Sequence, residues 1–110
     1  MELMIENVLQ IGADEFYRAS RYSLALSVII VNSDDNNAFN IFEENTRQTD
    51  IVQQLSSESL VIFLPHTGYD AATLFFKTIE NKLVFTHTIG EFKDSELEFI
   101  TNLFIKNSNE

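Results

Sequence analysis

Residues 47–67 constrain the fold more than any other part of the chain, because they predict two strands joined by a tight turn. Asp50 to Leu55 predicts a short strand, Leu60 to Leu64 is a fully apolar run that predicts a second strand, and polar residues 56–59 separate them. Pro65 ends the second run, since proline cannot donate to a sheet ladder. Two glutamines in the first run favour a position near the edge of a sheet. The segment therefore predicts a β-hairpin.

The residues before this hairpin predict a buried strand and two helices. Leu24 to Val31 is a short, nearly continuous apolar run, which is typical of a central strand. Asn32 to Asn37 is entirely polar and predicts a loop, and Ala38 to Glu44 predicts a short helix with Phe39 and Phe42 directed inward. The first segment predicts one amphipathic helix that ends near Ser20-Arg21, with an apolar stripe of Ile5, Val8, Leu9, Gly12 and Phe16.

The residues after the hairpin predict a helix, a strand and a last helix. Thr67 to Asp70 and Ser95 to Glu98 both have the spacing of a capping box, in which a hydroxyl precedes a carboxylate by three residues. Leu83 to Thr88 predicts a strand ended by Gly90, and the polar tail Asn107 to Glu110 predicts a frayed end. The inner faces are predicted to be Ala72, Phe75, Phe76 and Ile79 in the first helix, and Leu97, Ile100, Leu103 and Phe104 in the second.

The order of these elements predicts an α+β fold in a single domain, residues 1–110. Its centre is βαββαβ, the ferredoxin-like unit with an antiparallel sheet and helices on one face. Additional N- and C-terminal helices are expected to cover more of the sheet. That arrangement would explain why two central strands are apolar on both sides.

Composition excludes several functional classes. The chain has no cysteine, which removes disulfides, thiol catalysis and cysteine metal sites. Seventeen acidic and seven basic residues give a net charge of −10, which argues against binding to a nucleic acid polymer. The acidic residues are most simply a solvated surface, and a basic protein partner is the alternative. No apolar run is long enough to cross a membrane, and the acidic N-terminus is unlike a secretory signal, so we expect a cytoplasmic location.

Five segments of the chain together resemble the GGDEF family, the bacterial domains that make cyclic di-GMP. The order and spacing of these segments carry the resemblance across residues 16–100. They are Phe16 with Ala19 to Tyr22 before the first strand, Arg47-x-x-Asp50 five residues before the turn, Leu60 to Pro65 followed by Thr67, Ala71 to Ile79, and Thr88-Ile89-Gly90.

The chain departs from this family where the family's chemistry resides. The family's Gly-Gly-Asp-Glu-Phe turn is replaced by Ser56-Ser57-Glu58-Ser59-Leu60, and Asn32 stands where the family has a metal-binding Asp. The resemblance implies two metal ions, for which an amide is a poorer ligand than a carboxylate. Ser56 and Ser57 replace the two glycines of the family's turn. Their Cβ atoms make a backbone with positive φ costly, whereas glycine adopts it freely. Residues 32–47 are also too few for the family's guanine-reading segment. We therefore expect no enzyme activity, no catalytic residues and no cofactor.

Three groups of side chains remain as possible sites. Arg47 and Asp50 match a motif of the family in which an arginine and an aspartate bind cyclic di-GMP. The alternative is that they form only a local ion pair between a helix and a strand. Glu58 with Asp34 and Asp35 could form a residual cation site, but such loops are more often solvated turns. His66 and His87 have no predicted third ligand, so no metal site is expected there.

The sequence thus supports three functional hypotheses. The first is a catalytically inactive GGDEF-like domain that acts in bacterial signalling through a protein partner or a homodimer. The second is a cyclic di-GMP receptor that uses Arg47 and Asp50. The third is an unrelated ferredoxin-like interaction module, which a structure without the strand–turn–strand hairpin would favour.

Overall fold

The structure is a computed structural model that describes residues 1–109, and over this range it contains five helices and four strands. The helices are α1 (Glu2–Ile11), α2 (Ala13–Tyr22), α3 (Ala38–Asn45), α4 (Tyr69–Ile79) and α5 (Glu96–Ser108). The strands are β1 (Leu26–Asn32), β2 (Ile51–Ser56), β3 (Ser59–Pro65) and β4 (Thr86–Glu91).

The four strands form one antiparallel sheet in the order β2-β3-β1-β4. In the centre of the sheet, Ile29 of β1 lies opposite Ile62 of β3 and Ile89 of β4. The predicted α+β fold with a ferredoxin-like βαββαβ core is confirmed. The predicted hairpin and the edge position of its first strand are also confirmed, because β2 pairs only with β3.

Helices cover both faces of the sheet, as the apolar central strands require. On one face, α1, α2 and α5 bury residues such as Val8, Phe16 and Ile100 against Val28 and Phe63. On the other face, α3 and α4 form a second core against the alternate residues of the same strands; its members include Ile29, Ile62, Phe42, Phe76 and Ile79. The terminal helices therefore occupy the face that the core βαββαβ unit leaves open.

The predicted single N-terminal helix is wrong, because the segment is divided into α1 and α2 at Gly12. Gly12 is buried, and a Cβ added to it would lie 2.2 Å from Cε2 of Phe63. The turn thus lets the backbone approach an aromatic ring of the sheet. The sequence pattern included Gly12 in the apolar stripe, which was correct for its burial but could not reveal this close approach.

The capping box predicted at Thr67 is also wrong, because no side chain of that segment caps α4. The Thr67 hydroxyl donates to the carbonyl of Pro65 at 3.0 Å. The first backbone N–H of α4, that of Tyr69, instead donates to Oε1 of Glu91 at 2.8 Å. This hydrogen bond lowers the pKa of Glu91, and Lys93 contributes to the same shift. A residue at the end of β4 therefore supplies the anionic cap.

The last strand and helix differ from their predicted limits. Gly90 does not end the strand; it lies within β4, opposite Val28. Ser95 makes no side-chain cap for α5, and its backbone has a positive φ of 44°. Leu97, predicted on the inner face of α5, is 61% exposed. Asn107 and Ser108, predicted to be frayed, belong to α5, whereas Glu110 lies outside the described residues.

Candidate functional site

The turn between β2 and β3 is closed by its own side chains. The Ser56 and Ser59 hydroxyl oxygens lie 2.6 Å apart, and the Gln54 side-chain amide donates to the carbonyls of both serines. The register shifts by a bulge between Gln54 and Ser56. Two-residue hairpins usually need positive φ, but in residues 1–109 the non-glycine residues with positive φ are Ser23, His66 and Ser95, all outside this turn. The turn has thus adopted a geometry that serine can occupy.

Asn32, at the end of β1, is bound to the last helix. Its Oδ1 accepts a hydrogen bond of 2.8 Å from Nδ2 of Asn107, and the same nitrogen donates to the Thr88 hydroxyl at 3.1 Å. The position at which the sequence resemblance implies a metal-binding carboxylate therefore holds an amide, and its oxygen already has a partner. No local sequence pattern indicates that Asn107, 75 residues further along the chain, would reach this position.

The acidic side chains nearby do not form a metal centre. Asp34 and Glu58 line a cavity of about 310 Å³ beside Asn32, and Asp35 lines a neighbouring cavity of about 370 Å³ with Glu58. Oδ1 of Asp35 accepts the backbone N–H of Asn37 at 2.8 Å. Over residues 1–109, no group of three or more His, Cys, Asp or Glu side chains could hold a metal ion. Glu58, Asp34 and Asp35 are therefore not gathered into one metal-ligating group in the described residues, and these donors do not fit a pair of divalent ions.

Arg47 and Asp50 form a two-pronged ion pair. Nε and Nη2 of Arg47 donate to the Asp50 carboxylate, the shortest distance being 2.8 Å, and the backbone N–H of Arg47 donates to the same carboxylate at 2.8 Å. The hydrogen bonds from the guanidinium raise the pKa of Arg47. The Asp50 side chain is only 3% exposed, whereas that of Arg47 is 54% exposed. This arrangement joins the end of α3 to the start of β2.

Arg47 also holds the loop that follows β3. Its Nη2 donates to the Pro65 carbonyl at 2.8 Å and to the Thr67 hydroxyl at 2.9 Å. The Ser27 hydroxyl donates to the Thr67 carbonyl at 2.8 Å from the β1 side. A ligand for Arg47 would therefore approach the exposed side of a guanidinium that already has three protein partners.

The two histidines lie in unrelated surroundings. His66 is exposed, has a positive φ of 56°, and donates its backbone N–H to the Ala25 carbonyl at 2.8 Å. The His87 ring stacks on Phe76 with ring centres 4.9 Å apart. Neither histidine belongs to a metal-ligating group among the described side chains.

Sequence comparisons identify no relative of this chain: no family model matches, and no curated protein matches. Within residues 1–109, no helix is both long enough and apolar enough to cross a bilayer.

Solved structures, in contrast, match the chain over most of its length. A DGC protein from Thermotoga maritima superposes with a TM-score of 0.67 at 16% identity, covering 91% of both chains. The GGDEF domain of DgcB from Caulobacter crescentus, in complex with c-di-GMP, gives 0.68 at 9% identity and covers 91% of this chain and 84% of that one. Diguanylate cyclase SiaD from Pseudomonas aeruginosa, in complex with its activator SiaC, gives 0.63 at 13% identity and covers 92% and 54%. The chain therefore has a GGDEF-like fold.

Proposed function

We propose that this GGDEF-like chain is a catalytically inactive domain of bacterial signalling that works in the cytoplasm by binding another protein. The observation that carries the proposal is the state of Asn32, whose amide oxygen is bound to Asn107 rather than directed to a metal ion. The β2–β3 turn supports the proposal as well. The Ser56 and Ser59 hydroxyl groups contact each other at a position where a nucleotide phosphate would have to approach the backbone closely. The solved diguanylate cyclase complexed with an activator protein gives a precedent for protein partners on this fold.

A cyclase assay tests the loss of catalysis. The chain is incubated with GTP and Mn²⁺, and cyclic di-GMP is measured. We expect no product, and turnover would contradict the proposal.

Affinity capture from an extract of the native cell, with the unfolded chain as the control, would identify the protein partner.

A cyclic di-GMP receptor is the second candidate function, favoured by the exposure of Arg47. The Arg47 side chain is 54% exposed at a cavity of about 240 Å³, while the side chain of its counter-ion Asp50 is 3% exposed, so a ligand can reach Arg47 more readily than Asp50. One of the solved GGDEF structures of similar fold is itself in complex with c-di-GMP. The competing interpretation is a purely structural ion pair, supported by the hydrogen bonds from Arg47 to Pro65 and Thr67.

Calorimetry with cyclic di-GMP separates these two interpretations. If Arg47 is a ligand group, the intact chain binds the dinucleotide, and Arg47→Ala lowers the affinity by tenfold or more, because a charged hydrogen bond contributes about 1.5–3 kcal/mol. Lys106→Ala serves as the matched control, since Lys106 is an exposed cation on α5, which covers the opposite face of the sheet from the cavity at Arg47. Absence of heat with the intact chain would remove the receptor hypothesis. Thermal unfolding of Arg47→Ala shows whether the variant remains folded.

The third hypothesis is an unrelated ferredoxin-like module, which the absence of the strand–turn–strand hairpin would have favoured. The hairpin is present, and the similarity to GGDEF structures extends over 91% of the chain.

A further inference from the structure

The sheet has an open backbone edge at β2. Within residues 1–109, β2 pairs only with β3, so the N–H and C=O groups along its other edge have no strand partner. A charged side chain, most often lysine, or a proline commonly protects such an edge from pairing. Ile51 to Ser57 contains no charged residue and no proline, in a chain with 17 acidic and seven basic residues. The β2 edge therefore presents the backbone chemistry that recognises another β-strand.

Three residues of β2 share the face of the sheet that α1, α2 and α5 cover. Because side chains alternate along a strand, Ile51, Gln53 and Leu55 belong to this face. Ile51 and Leu55 are half-buried against the core on that face, and Gln53 between them is exposed. The regular pairing with β3 extends to Gln54, and the shift that follows leaves Leu55 without an opposite residue in β3. Two half-covered apolar side chains thus flank an exposed amide at the edge of the sheet.

A two-fold axis restricts how two such edges can pair. In a closed antiparallel pair both sheets keep the same face on the same side, so each residue lies opposite a residue of its own face. If Gln53 of one copy faces Gln53 of the other, Ile51 of each copy lies opposite Leu55 of the other. A shift by two residues in either direction places Gln53 opposite Ile51 or Leu55, which sets an amide against an aliphatic side chain. The apolar match therefore selects one register.

We propose that β2 pairs antiparallel with β2 of a second copy in this register, so that two four-stranded sheets become one continuous sheet. This inference rests on the proposed interaction function and deepens it by naming the surface and the partner. Pairing through β2 consumes the open edge of both copies. The assembly is therefore a closed dimer.

The distribution of charge favours this contact between two acidic chains. Each copy has a net charge of −10, and repulsion between exposed charges is screened beyond about 8 Å at physiological salt. A contact between copies is therefore least opposed where its own residues are uncharged, as they are along the β2 edge. In the selected register the nearest charged residue, Asp50, lies opposite Ser56 of the other copy. Asp50 is already neutralised by its ion pair with Arg47.

Sedimentation equilibrium of charge variants at Gln53 tests the proposal. Pairing along one short strand gives a small interface, so the intact chain should dimerise with a Kd between about 10 µM and 1 mM. Because residue 53 faces itself across the axis, Gln53→Lys and Gln53→Glu should each dimerise about fivefold more weakly or worse, through repulsion of like charges. An equimolar mixture of the two variants should dimerise at least as tightly as the intact chain. Circular dichroism checks that both variants are folded.

Gln10→Lys and Gln10→Glu are the matched controls, because Gln10 is exposed on α1 and the net charge changes by the same amounts. Alone or mixed, they should dimerise like the intact chain. The proposal is overturned if the intact chain stays monomeric at about 1 mM or if its mass exceeds that of a dimer. It is also overturned if either Gln53 variant dimerises normally, or if their mixture associates no more tightly than each alone.

These association data are independent of catalysis. GTP turnover would refute the inactive function and leave the dimerisation unchanged, whereas a monomeric chain would refute the β2 pairing and leave the cyclase assay unchanged.

Discussion

Asn32 and Arg47 illustrate how neighbouring groups determine what a side chain can still do. The amide oxygen of Asn32 is bound to Asn107 in α5, so the end of β1 is joined to the last helix. Arg47 is bound to Asp50, Pro65 and Thr67, yet half of its side chain remains exposed. The amide oxygen of Asn32 is thus engaged within the protein, whereas Arg47 keeps an exposed surface that a ligand can reach.

Gly12 provides a test of close packing at a single residue. We expect Gly12→Ala to lower the free energy of unfolding by about 1–3 kcal/mol, because the new methyl group would overlap the Phe63 ring. Urea denaturation measures the change. Gly68→Ala is the control, since its nearest atom would be Oε1 of Glu91 at 3.3 Å. Equal effects from the two substitutions would contradict the role assigned to the Gly12 approach.

At the level of elements, the first three strands and the start of α3 followed from local patterns, whereas β4 begins at Thr86 instead of Leu83 and the predicted side-chain caps of α4 and α5 are absent. Both central strands are apolar runs long enough to identify without tertiary information. The cap of α4 comes from Glu91, 22 residues after Tyr69, and no local spacing encodes that contact. Thr67 had the right spacing for a cap, but its hydroxyl is occupied by Pro65 and Arg47. The candidate site shows the same division: the motif at Arg47 was visible in the sequence, and the partner of Asn32 was not.

The Glu91 cap predicts how stability depends on pH. The folded state lowers the pKa of Glu91, so its contribution is complete above the unfolded-state pKa of about 4.3 and is lost as pH falls through the lower folded-state pKa. Glu91→Gln keeps an acceptor for Tyr69 but removes the charge, and should cost up to about 1 kcal/mol at neutral pH. Chemical denaturation at several pH values should show this difference vanishing in acid. A difference that stays constant into acid would contradict the assignment.

On the scale of the whole molecule, one sheet carries two helical layers, and the cavities at Asn32 and at Arg47 lie toward opposite ends of the sheet. Asn32 and Glu58 border the cavity beside the β2–β3 turn, whereas Arg47 and Pro65 lie toward the opposite end of β3. The two cores do not contain Asn32, Ser57 or Glu58, although one of them includes Leu60 from the signature turn. The GGDEF-like fold is therefore held by buried apolar side chains on both faces of the sheet.

The most direct test is formation of cyclic di-GMP from GTP and Mn²⁺, measured by mass spectrometry at a protein concentration high enough to detect one turnover per chain. An active GGDEF domain, assayed in parallel, confirms that the conditions support catalysis. We predict no product above the protein-free blank, because Asn32 is bound to Asn107 and the nearby acidic groups do not form a metal centre. Product that increases in proportion to the amount of this chain would contradict the account.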